Sequence, residues 1–426
     1  MTSANLDTGA LPNAHALVAE SPSRVAVLKR CWKSFCKLFN TWFLGPLLGG
    51  LVGTLIITRL INAFIGPNYS VYVVGPFGQS NRLADVFDKF DGADTSAWSI
   101  DGVPVRIHIR DDQGEPVAAR RMAAELAVRD DTLLVIGHFQ STTTKEALPL
   151  YLSANPAIPV ILTTETTTNV LPPKANADMH YPVFRLSPND DVQAETAFEF
   201  AHSKGAKTFW ILQDDLSNTV YSAYLADKFM ERAQSRETRV LLRTSPTFFV
   251  PSSTIDPLKI DWIFFAGGWR SALLFIRQLN AMHFAGAHII LSDACATKAL
   301  LDAATGKELE GVYVTHPLDA KTFNEKHNSA YAEDSLALVK QLLEKAGSDP
   351  TDAMATRGGP MYRLRRLLGI HRVGDARNAI IHAMHVMWGE KLRLMHGNAL
   401  FDKDGARIDS KFHIWKIEKN NFVDVP

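Results

Sequence analysis

The chain has 426 residues, 46% hydrophobic and 21% charged, with 45 basic residues against 45 acidic ones. That is ordinary globular composition, enough for one large domain or two to three small ones, and its zero net charge leaves neither a footprint for nucleic acid nor an acidic solvating tail. Three cysteines, Cys31, Cys36 and Cys295, exclude a disulfide framework and leave the compartment unread.

Residues 1–23 are polar and without a clear period, which predicts a disordered tail. A basic stretch follows, with Arg24, Lys29, Arg30, Lys33 and Lys37 and no acid. Residues 38–58, "LFNTWFLGPLLGGLVGTLIIT", carry no charge. A helix needs about 20 apolar residues to cross a bilayer, so 24–66 reads as a basic flank and one transmembrane helix. Arg59 stands at its far end, able to reach the headgroups. The basic flank places the N-terminus in the cytoplasm and the main domain outside it, in a bacterial periplasm or at a cell surface. A cleaved signal peptide is the rival reading. Its leader would be unusually long, and Ile61 before Ala63 makes a poor small-x-small site. Neither Cys31 nor Cys36 follows the apolar run, so a lipid-modified cysteine does not fit. Gly45, Gly49 and Gly53 would permit close helix packing, though a lone span tolerates them as well.

From Asn68 onward, short β-branched or aromatic runs alternate with amphipathic stretches. The runs are 71–75, 105–112, 132–138, 158–164, 208–215, 261–268, 288–293 and 311–317. Helical stretches include 116–130, 190–204, 219–235 and 270–284. This alternation predicts βαβ units and parallel sheets. The runs are nearly continuous in apolar character, as for strands covered on both faces. Most end in a small, hydroxyl or acidic residue: Gly75, Asp111, Gly137, Thr163, Asp214, Gly267, Asp293. In open parallel sheets ligands bind outside those carboxyl ends.

Ser141, Thr142, Thr143 and Thr144 stand together after the run that ends at Gly137-His138. They should open the next helix, where free N–H groups favour an anion, most economically a carboxylate. One helix cap would account for one hydroxyl, not four. A second hydroxyl run, "LTTETTTN" at 162–169, follows the next strand. If the two strands are neighbours, both clusters reach one small ligand.

In order along the chain, "VGPFG" (74–78), "DDQGEPVAA" (111–119), "VIGHFQSTTT" (135–144), "IPVILTTETT" (158–167), "VFRLSPND" (183–190), "FFAGGWRSALLFIRQL" (264–279), "IILSDA" (289–294) and "FDKDGARIDSKFHIWKI" (401–417) resemble one family. It is the branched-chain amino-acid type of ABC-transporter solute-binding protein, and the resemblance covers roughly 70–426. It implies an α/β fold of two doubly wound parallel-sheet lobes joined by three crossovers, the type I periplasmic binding fold, here preceded by one N-terminal transmembrane helix. The bilobal domain would span 68–426, with lobe one at about 68–185 and 316–400 and lobe two at about 186–315 and 401–426. Ser141 matches the serine that holds the ligand carboxylate, with Thr142 beside it in the cluster. Thr164 matches a residue with backbone contacts, and Thr166 a hydroxyl that binds the amino and carboxylate groups. Asp293 matches the acid that pairs with the ammonium. Trp269, or Gly268 in a shifted register, falls where an aromatic residue covers the ligand.

This sequence also departs from the family. Asn218-Thr219 stands where the family has Tyr-Gly, which puts that contact of the cleft in question. Gly114 and Gln140 stand where amino-acid-binding members carry a disulfide. Glu165 would repel a carboxylate if it pointed inward. The segment before "DGVPV", the stretch 349–400 with its basic "YRLRRLLGIHR", and the anchor are also unusual.

His382 and His385 form an H-x-x-H, with His371 and His396 not far away in sequence. No third ligand at a known spacing accompanies them, and packed or surface histidines explain them more simply. His138 reads as a structural hydrogen-bonding residue. A G-x-S-x-G elbow, a P-loop and a G-x-G-x-x-G fingerprint are absent. The sequence therefore points to a non-enzymatic, cofactor-free extracytoplasmic protein. It would capture an amino acid or small carboxylate by hinge closure, with an ABC permease as partner and no nucleic acid. The alternative is a membrane-anchored receptor-like or scaffold protein with a degenerate cleft.

Overall fold

Strand β1 (Tyr69–Gly75) is buried along its whole length, and its side chains divide with the period of a strand. Tyr69, Val71 and Val73 enter one core; Tyr72 and Val74 enter another on the opposite face. Both faces are covered, as a parallel sheet requires. The computed structural model describes residues 68–78, 86–87, 98–100, 102–174, 176, 178–245, 259–284, 286–326, 329–348 and 372–425. The expected tail, basic flank and membrane span at 1–66 lie outside them. Among the described residues no helix is long and apolar enough to cross a membrane.

The first sheet continues with β2 (Ser99–Ile100), β3 (Val103–Asp111), helix α1 (Pro116–Val128), β4 (Thr132–Gly137), α2 (Ser141–Ser153), β5 (Val160–Leu162) and β6 (Val183–Arg185). Its order is β2-β3-β1-β4-β5-β6, parallel except for β2 at the edge. The order reverses at β1, so the crevice lies outside the ends of β1 and β4. The strand expected at 158–164 shrinks to three residues. The Leu162 carbonyl accepts from Leu186 N at 2.8 Å, and the threonines beyond leave the ladder.

The chain then builds a second sheet through α3 (Asp190–Ser203), β7 (Thr208–Gln213), α4 (Thr219–Ser235), β8 (Arg239–Thr244), β9 (Trp262–Ala266), α5 (Trp269–Ala281), β10 (His288–Leu291), α6 (Lys298–Ala303), β11 (Tyr313–His316) and α7 (Ala320–Lys326). Helices α8 (Ser329–Ser348) and α9 (Val373–Met387) return to the core of the first sheet. The hairpin β12 (Lys391–Leu394) and β13 (Gly397–Leu400) follows, then β14 (His413–Glu418) and β15 (Asn421–Asp424). The last two close the second sheet in the order β15-β14-β11-β10-β9-β7-β8. Phe209, Ile211 and Phe264 face α3 and α4, while Trp210, Leu212 and Phe265 face α5. Phe264 stacks on Phe229 at 4.0 Å.

Two devices bind the returning segments to the first sheet. Phe401 stacks on Phe184 at 4.5 Å, and the Asp402 carboxylate accepts from the N–H groups of Asp404 and Ala406, both at 2.9 Å. Gly405 stands at φ +73, with its α-carbon so close to β6 that a β-carbon would fall 1.6 Å from Val183 O. Only glycine fits. Arg377 of α9 is buried and donates to the carbonyls of Thr132 at 2.6 Å, Arg129 at 3.2 Å and Pro156 at 3.3 Å.

Candidate functional site

In lobe one the site begins with a buried relay. His138 Nδ1 lies 2.7 Å from Asp112 Oδ2, and its Nε2 2.9 Å from the Tyr151 hydroxyl. The carboxylate accepts from Nδ1–H, so in the neutral ring Nε2 accepts from Tyr151. Burial and the charge of Asp112 push the Tyr151 hydroxyl well above its ordinary pKa. The relay pins the end of β4, and Phe139 turns the chain at φ +61 so that α2 opens on Ser141.

The four hydroxyls then have four fates. Ser141 is buried, and its hydroxyl has no hydrogen-bond partner among the described residues. Thr142 reaches across the cleft: its N–H and its hydroxyl both donate to Asn218 Oδ1 at 3.0 Å, and the hydroxyl accepts from Val220 N at 3.2 Å. Thr143 donates to Gln140 O at 2.9 Å and closes the turn. Thr144 donates to Glu165 Oε1 at 2.9 Å. Glu165 is 1% exposed, and burial raises its pKa, which favours the neutral acid. Through Thr144 it is tied to the first turn of α2.

The second hydroxyl run lies beside the first, since β4 and β5 are neighbours. Thr164 donates to Phe139 O at 2.8 Å and ties the two turns together. Thr166 O accepts from Asp190 N at 3.0 Å, and Thr167 donates to Asp190 Oδ2 at 2.7 Å. This run therefore serves the chain crossing into lobe two.

Lobe two is organised by Asp214, fully buried at the end of β7. Its carboxylate accepts from Leu216 N at 2.9 Å, Ser217 Oγ at 3.1 Å, Gly268 N at 3.0 Å and Ser271 Oγ at 3.0 Å. A side chain of the protein thus already occupies the anion-favouring N-terminus of α5. A β-carbon on Gly267 would meet Asp214 Cβ at 2.2 Å, so the approach needs glycine. The same knot presents Asn218, in the left-handed region at φ 46, which asparagine tolerates better than most residues. Trp269 opens α5 half-buried, with the Arg270 guanidinium 4.6 Å from its ring centre.

Asp293, at the end of β10, accepts from the Tyr221 hydroxyl and from Gln193 Nε2, the latter at 3.0 Å. Burial raises its pKa against these hydrogen bonds. Burial likewise pushes Asp190 up to about 7, with the Asp293 charge adding to the effect; the hydroxyls of Thr166 and Thr167 and the Arg185 charge oppose it. Asp190 and Gln193 were not singled out in the sequence. Their signal is the D-x-x-Q spacing, which puts both on one face of the first turn of α3. Of the histidines weighed for metal, His396 pairs with Glu333 at 2.6 Å and His385 packs on Trp388 at 4.1 Å. Among the described residues no three ligands gather. His371 lies outside them.

Taken together, the structure brings Thr142 against Asn218, ties Thr164 to the Ser141 turn, and sets Thr166 beside Asp190, which feels the charge of Asp293. The same two-lobed arrangement recurs in solved structures. A leucine-binding protein from Thermotoga maritima is 18% identical, with a TM-score of 0.64 over 84% of this chain and 98% of its own. An ABC-transporter substrate-binding protein from Desulfitobacterium hafniense, solved with Leu, is 17% identical, with 0.60 over 84% and 100%. A solute-binding protein of an ABC transporter from Rhodopseudomonas palustris, solved with 3,4-dihydroxybenzoic acid, is 16% identical, with 0.61 over 84% and 96%. In sequence, an "amino acid binding protein" from Pseudomonas aeruginosa is 26% identical over 235 residues, 53% of this chain. The chain spans 59% of that relative's length. The sequence pattern of the periplasmic binding proteins runs through residues 87–388, well over half of the chain. With that match and the type I arrangement of its two sheets, the chain belongs to the periplasmic binding protein family.

Proposed function

We propose that this protein is an extracytoplasmic solute-binding protein that captures an amino acid or related small carboxylate by hinge closure and delivers it to an ABC permease. One observation supports the reading: Thr142, in the hydroxyl run at the start of α2, meets Asn218 on the second sheet's side across the cleft, where hydroxyls and N–H groups gather. A solute held from both sides has a higher affinity for the closed form, and that difference drives closure. Ser141 and Thr142 take the carboxylate, with Thr164 and Thr166 shaping its seat. Asp293 takes the ammonium, while Asn218 and Trp269 cover the ligand from lobe two. Capture needs no cofactor and no bond chemistry. The uncharged run at 38–58 anchors the protein, with the main domain outside the cytoplasm.

Isothermal titration of the full-length protein with the twenty amino acids and short carboxylates tests the reading. Heat with at least one is expected; silence from all of them refutes it. Asp293→Ala should cost about 2–5 kcal/mol of affinity for a zwitterion, because it strands a buried ammonium. Unchanged affinity removes Asp293 from the site.

The Thr142–Asn218 clasp favours a second reading, a receptor-like or scaffold protein whose cleft is filled by its own chain. That protein would respond to none of these solutes and would hold a membrane partner. A detergent pull-down that recovers only the protein itself counts against it.

A further inference from the structure

Helices α2 and α4 start on opposite sides of the cleft, and neither is capped by the residue before it. Gln140, ahead of α2, makes no side-chain cap bond. Asn218, ahead of α4, makes none to its own helix either. Asparagine at that position ordinarily does so, because the first N–H groups of a helix have no partner within it. Here the caps are exchanged between the lobes. Asn218 Oδ1 accepts from the N–H of Thr142, in the first turn of α2, at 3.0 Å. The Thr142 hydroxyl accepts from the N–H of Val220, in the first turn of α4, at 3.2 Å. The same hydroxyl donates to Asn218 Oδ1 at 3.0 Å, which closes the ring. The backbone that presents Asn218 is fixed by Asp214, which accepts from Leu216 N and Ser217 Oγ.

Toward α2, the Asn218 oxygen behaves as a carboxylate oxygen would. It accepts a first-turn N–H and a hydroxyl at once. It is also a weaker occupant than a carboxylate, because a neutral amide gains less from the helix dipole and makes weaker hydrogen bonds than an anion. We propose that Asn218 is an internal stand-in for the solute: it occupies the first turn of α2, holds the ligand-free lobes together, and must be displaced before a carboxylate can bind there. The proposal rests on the capture reading above and adds a competitor carried by the chain itself. The displaced amide is then free to cover the solute. A second contact between the lobes does not involve this turn. The Tyr224 hydroxyl of α4 donates to Asp191 Oδ2 at 3.0 Å and also meets Thr168 Oγ1 of lobe one. Its removal loosens the lobes and leaves the stand-in in place.

Titration calorimetry on the full-length protein tests the proposal, with the twenty amino acids, acetate, propanoate and 4-methylpentanoate as probes. Asn218→Gly removes the amide and suits the left-handed turn. It should tighten every carboxylate that binds by about tenfold, the worth of one or two hydrogen bonds no longer broken. Tyr224→Phe should not reproduce that gain. Affinities that Asn218→Gly leaves unchanged or weakens overturn the proposal and leave capture standing, and so does an equal gain from Tyr224→Phe. A silent wild type beside a variant that binds supports the stand-in and overturns capture by the native chain. Silence from the wild type and from Asn218→Gly overturns both. If Asn218→Gly does not fold, hydrogen exchange in the ligand-free wild type decides. The Thr142 amide is expected to be protected, and exchange at the rate of an unfolded chain overturns the proposal.

Discussion

Burial pushes the Asp190 carboxyl up to about 7, so it exchanges its proton near neutral pH. In the unfolded chain the same group titrates near 3.8. Between those values the folded protein binds more protons than the unfolded one. This group's contribution to stability is therefore complete at low pH and is lost as pH rises through 7. Asp190→Asn should flatten that part of the profile, by on the order of 1–4 kcal/mol between pH 5 and 8, measured by denaturant unfolding against the parent. An unchanged difference across the range would show that Asp190 keeps an ordinary pKa. Asp214 belongs to the same scale. It accepts four hydrogen bonds while fully buried, and Asp214→Ala leaves their donors empty. A loss of about 2–4 kcal/mol is expected, and a loss below 1 kcal/mol would mean that water replaces the carboxylate.

At the scale of elements, two joints hold lobe one to the segments that return to it. Gly405→Ala forces a β-carbon into the carbonyl of Val183 at a positive φ. The strand and the 401–406 turn must part, at about 3 kcal/mol or more, seen as a lowered melting temperature. Arg377→Met keeps the bulk of the side chain but empties three carbonyls at the foot of lobe one, with a loss of about 2–4 kcal/mol expected. These joints explain how far the elements could be read from the sequence. Strands such as "VYVVG" and "DWIFFAGG" announce themselves by unbroken apolar character, because both faces of a parallel sheet are covered. Gly405 is legible only within the Phe-Asp-x-x-Gly pattern, and Arg377 not at all, since a lone arginine in a helix looks like a solvated one. The site is similar. Strand ends rich in hydroxyls mark the cleft, but which oxygen each threonine meets depends on the left-handed turns at Phe139 and Asn218. Asp190 looks like an acid placed to favour a helix N-terminus, and its burial appears only once the lobes face each other.

For the whole molecule, the Thr142–Asn218 clasp is a hydrogen-bonded bridge between lobes that needs no solute. Removing it with Asn218→Ala should shift the ligand-free protein toward open forms. Small-angle scattering is expected to register a larger radius of gyration, returning to the parent value when a ligand that binds is added. Identical scattering from the two apo proteins would show that the bridge does not hold the closed state.

Because Asp214 seals the N-terminus of α5 from within, an anion that reaches that end of the cleft meets a carboxylate already in place. On the capture reading proposed above, a solute with opposite charges lies in the cleft only one way round. With the two charged ends fixed in space and the remaining substituent directed to one side, mirror-image molecules are no longer equivalent. On that reading the cleft is handed, and titration calorimetry should separate the L and D forms of any amino acid that binds, even though their size, charge and polarity are identical.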